Sequence, residues 1–156
     1  MGKKKKRMDY ICCIYLIKKH SIYSARKVMK IMGKFIIKTT STGFTFSLKA
    51  VNGQIVTTSS DVYNTISAVK SGIACVVKIA PDAVVEDQTV SSFEAKTAPK
   101  FEIYKDKSGE FRFRLKDKNG DIIAVSEGYV KKDSCKNGIA SVRRNSVNAP
   151  VIEPIK

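Results

Sequence analysis

The sequence predicts an α+β protein made of two copies of a β-β-β-α-β unit, and three observations carry that reading. The 156-residue chain aligns with itself at an offset of 66 to 67 residues. Lys34-Phe35-Ile36-Ile37 falls on Lys100-Phe101-Glu102-Ile103, and Phe44-Thr45-Phe46-Ser47-Leu48-Lys49 on Phe111-Arg112-Phe113-Arg114-Leu115-Lys116. Asn52-Gly53 falls on Asn119-Gly120, and Gly72-Ile73-Ala74 on Gly138-Ile139-Ala140. Next, residues 44–49 and 111–116 alternate between apolar and polar, the period of a strand covered on one side. Finally, the period changes downstream: Ile66, Val69, Ile73, Val76 and Val77 recur at three and four, as do Cys135, Ile139 and Val142, giving a helix with one buried stripe.

The copies span residues 33–90 and 99–156, joined by a linker at 91–98. In each copy the first strand is predicted at 34–39 or 100–105, ending in a Ser/Thr/Gly or Lys/Ser/Gly turn. On the second strand Phe44, Phe46 and Leu48, or Phe111, Phe113 and Leu115, point inward. Thr45, Ser47 and Lys49, or Arg112, Arg114 and Lys116, point outward. Asn52-Gly53 and Asn119-Gly120 suit a tight hairpin with two positive φ angles, which leads into strands at 54–59 and 121–126. Asp61 and Asp133 stand near the helix starts, where they could cap the helix or favour its dipole. Pro81 closes the first helix and Pro150 follows the second, before short strands at 83–87 and 151–152.

Gly72 and Gly138 occupy the same helical position in the two copies. Each costs its helix about 1 kcal/mol relative to alanine. The apolar stripe passes both without losing phase, so the expectation is a close crossing of the two helices at these glycines; a frayed turn is the alternative.

Composition narrows the classes. Hydrophobic residues are 43% and charged residues 28% of the chain, which excludes wholesale disorder. No apolar run nears the roughly 20 residues of a membrane-spanning helix. Four cysteines without a framework spacing exclude a disulfide scaffold and fit a reduced, cytoplasmic setting. Cys135 takes the place that Val69 holds in the first copy and reads as a buried apolar residue, while Cys75 matches Ser141.

The net charge of +15 is uneven: residues 1–31 hold ten basic residues and one acid. The run Lys3-Lys4-Lys5-Lys6-Arg7 could bind phosphate on nucleic acid or lipid, but a solvated terminus that binds nothing specific explains it better. The apolar stretch Tyr10–Ile17 is short for a signal sequence, and Lys18-Lys19-His20 stands where small residues would be cleaved. Residues 1–32 have no counterpart in the second copy, so this basic leader is expected to be disordered or foreign to the native chain, with Met32 a natural start.

Catalytic equipment is thin. The one histidine, His20, lies in the leader, which leaves no Ser-His or Cys-His nucleophile system in the folded part. There is no Gly-rich phosphate loop, and Asp117-Lys118-Asn119-Gly120-Asp121 reads as a hairpin turn rather than a calcium loop. Glu86 and Asp87 adjoin, and on a strand they would face opposite sides. No catalytic, cofactor-binding or metal-binding residue is assigned. The candidate contact surface is a basic ladder of Lys105, Arg112, Arg114 and Lys116, in which alternate strand residues sit about 7 Å apart, near the spacing of successive phosphates. Against it, Thr45 and Ser47 hold those places in the first copy, Glu102, Glu110 and Asp121 lie near, and no aromatic residue interleaves for stacking.

Taken together, Lys100 to Asp106, Gly109 to Lys116, Asn119-Gly120, Ser126-Glu127-Gly128-Tyr129 and Asn137 to Val142 resemble the YegP-like family of small, uncharacterised bacterial and archaeal proteins. The first copy shares Phe44 to Ala50 and Asn52-Gly53, and departs at Asp61-Val62-Tyr63. The resemblance implies one continuous antiparallel sheet, exchange of the last strands, and two helices crossed on one face. It carries no activity and no functional residues. The expectation is therefore a cytoplasmic monomer with internal pseudo-twofold symmetry, without cofactor, acting as a non-catalytic binding or interaction module through its open sheet face or an edge. The alternative is a weak nucleic-acid binder using the basic ladder.

Overall fold

The computed structural model describes residues 32–155; the leader with its lysine run and His20 lies outside the described residues. The first repeat forms β1 (Lys34–Thr39), β2 (Phe44–Lys49), β3 (Ile55–Ser59), α1 (Ile66–Ile79) and β4 (Val84–Asp87). The second forms β5 (Lys100–Lys105), β6 (Phe111–Lys116), β7 (Ile122–Val125), α2 (Lys132–Ser146) and β8 (Val151–Ile152).

All eight strands join one sheet in the order β4-β5-β6-β7-β3-β2-β1-β8. Each repeat supplies an antiparallel meander, and the meanders meet where β3 pairs with β7. Thr57 Oγ1 strengthens that seam by donating to the Val125 carbonyl at 2.7 Å. The last strand of each repeat lies beside the first strand of the other, β4 on β5 and β8 on β1. The exchange is as expected, but both exchanged pairs run parallel, so the sheet is mixed rather than wholly antiparallel. Residues 88–99 allow this, since a parallel pair needs a crossover of about a dozen residues rather than a hairpin turn.

Alternation sorts the sheet into two faces. Phe35, Ile37, Phe46, Leu48, Phe101, Ile103, Phe113 and Leu115 are buried with Val69, Ile73, Val76, Cys135, Ile139 and Val142 of the helices in one core. The repeats pack this core alike. Phe35 meets Phe46 edge-on at 5.8 Å, and Phe46 stacks on Tyr63 at 6.2 Å. Phe101 meets Phe113 edge-on at 5.8 Å, and Phe113 stacks on Tyr129 at 6.5 Å.

Local chemistry differs from the sequence expectation at three places. The β2–β3 and β6–β7 hairpins have positive φ at Gly53 (86°) and Gly120 (88°) but not at Asn52 or Asn119. Gly53 N–H donates to Ala50 O and Ala50 N–H to Gln54 O, the pattern of a longer loop closed by a glycine bulge. The α1 cap is Thr65, whose Oγ1 accepts from Ala68 N–H at 3.0 Å, not Asp61. Residues before it are held back by paired hydrogen bonds between Tyr63 and Phe44, both 2.8 Å, so the helix starts later. Asp133 does sit in the first turn of α2, though no side chain caps that helix.

The third difference concerns Gly72 and Gly138. What fills the space beside them is tyrosine, not the other helix. A Cβ on Gly72 would lie 2.3 Å from the Tyr63 hydroxyl, and one on Gly138 would lie 2.5 Å from the Tyr129 hydroxyl and 2.9 Å from Cε1 of Phe113. Each glycine is the notch that admits its own repeat's tyrosine under the helix. Gly138→Ala should therefore destabilise the protein by about 1–2 kcal/mol in spite of alanine's better helix propensity. Adding Tyr129→Phe should recover part of the loss. Urea denaturation of the single and double variants checks this, and equal or greater stability of Gly138→Ala would refute it.

Candidate functional site

On the sheet face turned away from the helices, the second repeat carries a cluster of charges. Register places Glu102 between Arg114 of β6 and Glu86 of β4. Glu86 comes from the first repeat, so the strand exchange builds this site. Both carboxylates are buried, Glu86 with 2% and Glu102 with 1% of its surface exposed. Buried anions persist only when paired and hydrogen-bonded, and these are. Lys100 Nζ lies 2.6 Å from Glu86 Oε2 and 3.0 Å from Glu102 Oε1. Lys116 Nζ is 2.9 Å from Glu102 Oε1, and Arg114 Nε donates to Glu102 Oε2. Glu86 also accepts from Gln88 Nε2 at 2.6 Å and from the backbone N–H of Lys96 in the crossover segment.

These contacts set the ionisation. Burial pushes the Glu86 carboxyl up, but the hydrogen bonds from Lys100, Lys96 and Gln88 outweigh it and hold the group at about 2. Glu102 is likewise opposed by burial and brought down by Lys116, Arg114 and Lys100. Lys100 is raised, chiefly by its hydrogen bond to Glu86. Asp106 is lowered and Arg112 raised by their mutual bond.

The predicted ladder is only partly assembled. Arg112, Arg114 and Lys116 share the face, but Lys105 does not: it pairs with Phe111 on the helix side and sits over that ring at 5.0 Å. The strand period of two puts Tyr104 on the ladder face instead. Arg112 is tied down by Asp106 Oδ2 at 2.6 Å and the Ser126 carbonyl at 3.2 Å. Lys116 is held by Glu102. Arg114 differs. Its Nε is bonded to Glu102, its plane lies over Tyr104 at 4.9 Å, and among the described residues its terminal Nη groups have no hydrogen-bond partner. Three cations, Lys100, Arg114 and Lys116, surround two carboxylates, and Arg112 beside them is shared by Asp106 and Glu110, so what distinguishes Arg114 is its unengaged terminal fork rather than an excess of charge.

The first repeat has nothing comparable. Ile36 and Ile152 stand, paired, where Glu102 and Glu86 stand in the second half, and Ser47 replaces Arg114. Sequence reasoning missed Glu86 and Lys100 as members of the cluster. The available signal was a carboxylate at each of two strand positions whose counterparts in the repeat are isoleucine.

Cys135 is fully buried, and burial pushes its thiol up to about 11; Cys75 is half-buried and also raised by burial. Among the described residues, no group of three or more His, Cys, Asp or Glu could hold a metal ion, and no helix is long and apolar enough to cross a membrane.

Comparison with known proteins identifies relatives without an assigned activity. Residues 40–87 and 106–153 each match the domain of unknown function DUF1508. UPF0339 protein YegP of Yersinia pestis is 36% identical over 121 residues, which cover 77% of this chain and 94% of that protein. A UPF0339 protein of Treponema denticola is 61% identical over 56 residues, 36% of this chain and 97% of that one. The solution NMR structure of yegP from E. coli, a protein of unknown function, superposes with a TM-score of 0.63 at 30% identity, covering 79% of this chain and 93% of that chain.

The carboxylate cluster predicts a pH dependence. Glu86 ionises well below the ordinary 4.5 in the folded state, so the stability it confers is present above pH 4.5 and is lost as pH falls toward about 2. Urea midpoints measured across that window should fall for the native sequence and fall less steeply for Glu86→Gln. At neutral pH, Glu102→Ala should cost about 3 kcal/mol by leaving three cations without their shared anion.

Proposed function

The chain belongs to the DUF1508 family, with the UPF0339 proteins and YegP, and on that premise we propose that it is a non-catalytic binding module whose open sheet face receives an acidic side chain of a protein partner at Arg114. It would work as a cytoplasmic monomer without a cofactor. The observation that carries this reading is the preorganised guanidinium. Glu102 and Tyr104 fix its plane while, among the described residues, its terminal N–H groups meet no acceptor. A fork held in this way loses little freedom when it meets a carboxylate.

The same charge balance disfavours a nucleic-acid backbone as the partner. Affinity for a polyanion grows with the number of phosphates neutralised. Here Arg112 is engaged by Asp106, Lys116 by Glu102, and Lys105 faces the other side. The Arg114 fork, engaged only through its Nε, suits one acidic group.

NMR titration of the full chain with an acetylated glycine peptide bearing one central glutamate tests the proposal. Shifts should centre on Tyr104 and Arg114, and Arg114→Lys should weaken binding about tenfold, because lysine keeps the charge but loses the fork. Binding unchanged in Arg114→Lys would overturn the proposal. Titration with single-stranded and duplex DNA discriminates the alternative. Tight binding that collapses with salt, and disappears in the Arg112→Ala/Arg114→Ala variant, would replace the acidic-partner reading with a nucleic-acid one.

A further inference from the structure

On the opposite, helix-covered face, β4 and α2 leave a cleft of about 400 Å³ lined by Val85, Asp87, Lys136, Ile139, Ala140 and Arg143. That volume lies in the range of small-molecule sites. Its floor is apolar and its rim is charged. The one acid there is already occupied: Asp87 Oδ2 is 3.0 Å from Lys132 Nζ, and Oδ1 accepts from the N–H and hydroxyl of Thr89. Lys136 is therefore left without a carboxylate partner among the described residues.

Arg143 is the second cation. Its Nη2 donates to the Ala83 carbonyl at 2.6 Å and its plane lies 5.7 Å from the Phe101 ring. Among the described residues its Nε is buried without a hydrogen-bond partner, which costs stability, and its Nη1 makes no hydrogen bond either, which leaves a donor for an incoming acceptor.

The repeat supplies an internal control. At the positions equivalent to Lys136, Asp87 and Arg143 the first repeat has Lys70, Glu153 and Val77. There Lys70 pairs with Glu153, and Val77 stands where Arg143 stands in the second repeat. The second half carries an arginine there and pairs its acid with Lys132, leaving two positive groups beside an apolar floor.

We infer that this cleft binds a small amphiphilic carboxylate, with the anionic head at Lys136 and the apolar tail on Val85, Ile139 and Ala140, running toward Arg143. The site is independent of Arg114, which lies across the sheet.

Titration of the ¹⁵N-labelled full chain with octanoate, acetate and octanol tests the inference. Octanoate should shift the amides of residues 85–87 and 136–143 saturably, and acetate and octanol should each bind at least about tenfold more weakly, since one lacks the tail and the other the charge. Lys136→Glu, an exposed substitution, should reduce octanoate affinity about tenfold, and Ala140→Leu should reduce it by filling the floor. Both variants should keep the native spectrum elsewhere. Equal binding of octanol, insensitivity to Lys136→Glu, or shifts confined to other surfaces would overturn the inference while leaving the Arg114 proposal standing.

Discussion

The pairing of each repeat's final strand with the first strand of the other is the constraint from which the rest of the structure follows. Without it, β4 and β8 would have no hydrogen-bonded neighbour, and neither repeat would close its own sheet. With it, the two meanders, already joined at β3 and β7, become one eight-stranded layer over a shared core. The exchange also brings Glu86 of one repeat beside Glu102 of the other. A charged cluster so assembled reports on the intact sheet, because half of its anionic centre comes from each repeat.

That cluster shows how geometry changes the meaning of composition. Counted as residues, Arg112, Arg114 and Lys116 form a basic surface. Counted with their partners, they are mostly a scaffold for buried carboxylates. The gain from each ion pair is modest once desolvation is included, and what the network secures is position. Arg114 is the beneficiary, since its fork is oriented by groups whose own places are fixed.

Much of the architecture was legible in the sequence because the duplication doubled every signal. Strand limits at Lys34–Thr39, Phe44–Lys49 and their counterparts follow from alternation, and the core follows from the same pattern. What was not legible depends on contacts distant in the chain. Nothing local distinguishes a parallel exchanged strand from an antiparallel one, and the direction of β4 is settled by the path of residues 88–99. The role of Gly72 and Gly138 could not be read from helical phase, since the tyrosines that occupy the notches precede the helices and arrive by pairing with Phe44 and Phe111. Lys105 was placed with the ladder by charge and removed from it by strand period.

Twofold assemblies of identical chains must repeat every residue on both sides of the axis, so a feature gained in one place is gained in two. Here the halves share one polypeptide, and the axis relates positions without obliging them to match. Ile36 and Ile152 on one flank correspond to Glu102 and Glu86 on the other, and Val77 to Arg143. Joining the halves in a single chain has thus released each flank to diverge, giving a symmetric frame with a handed surface.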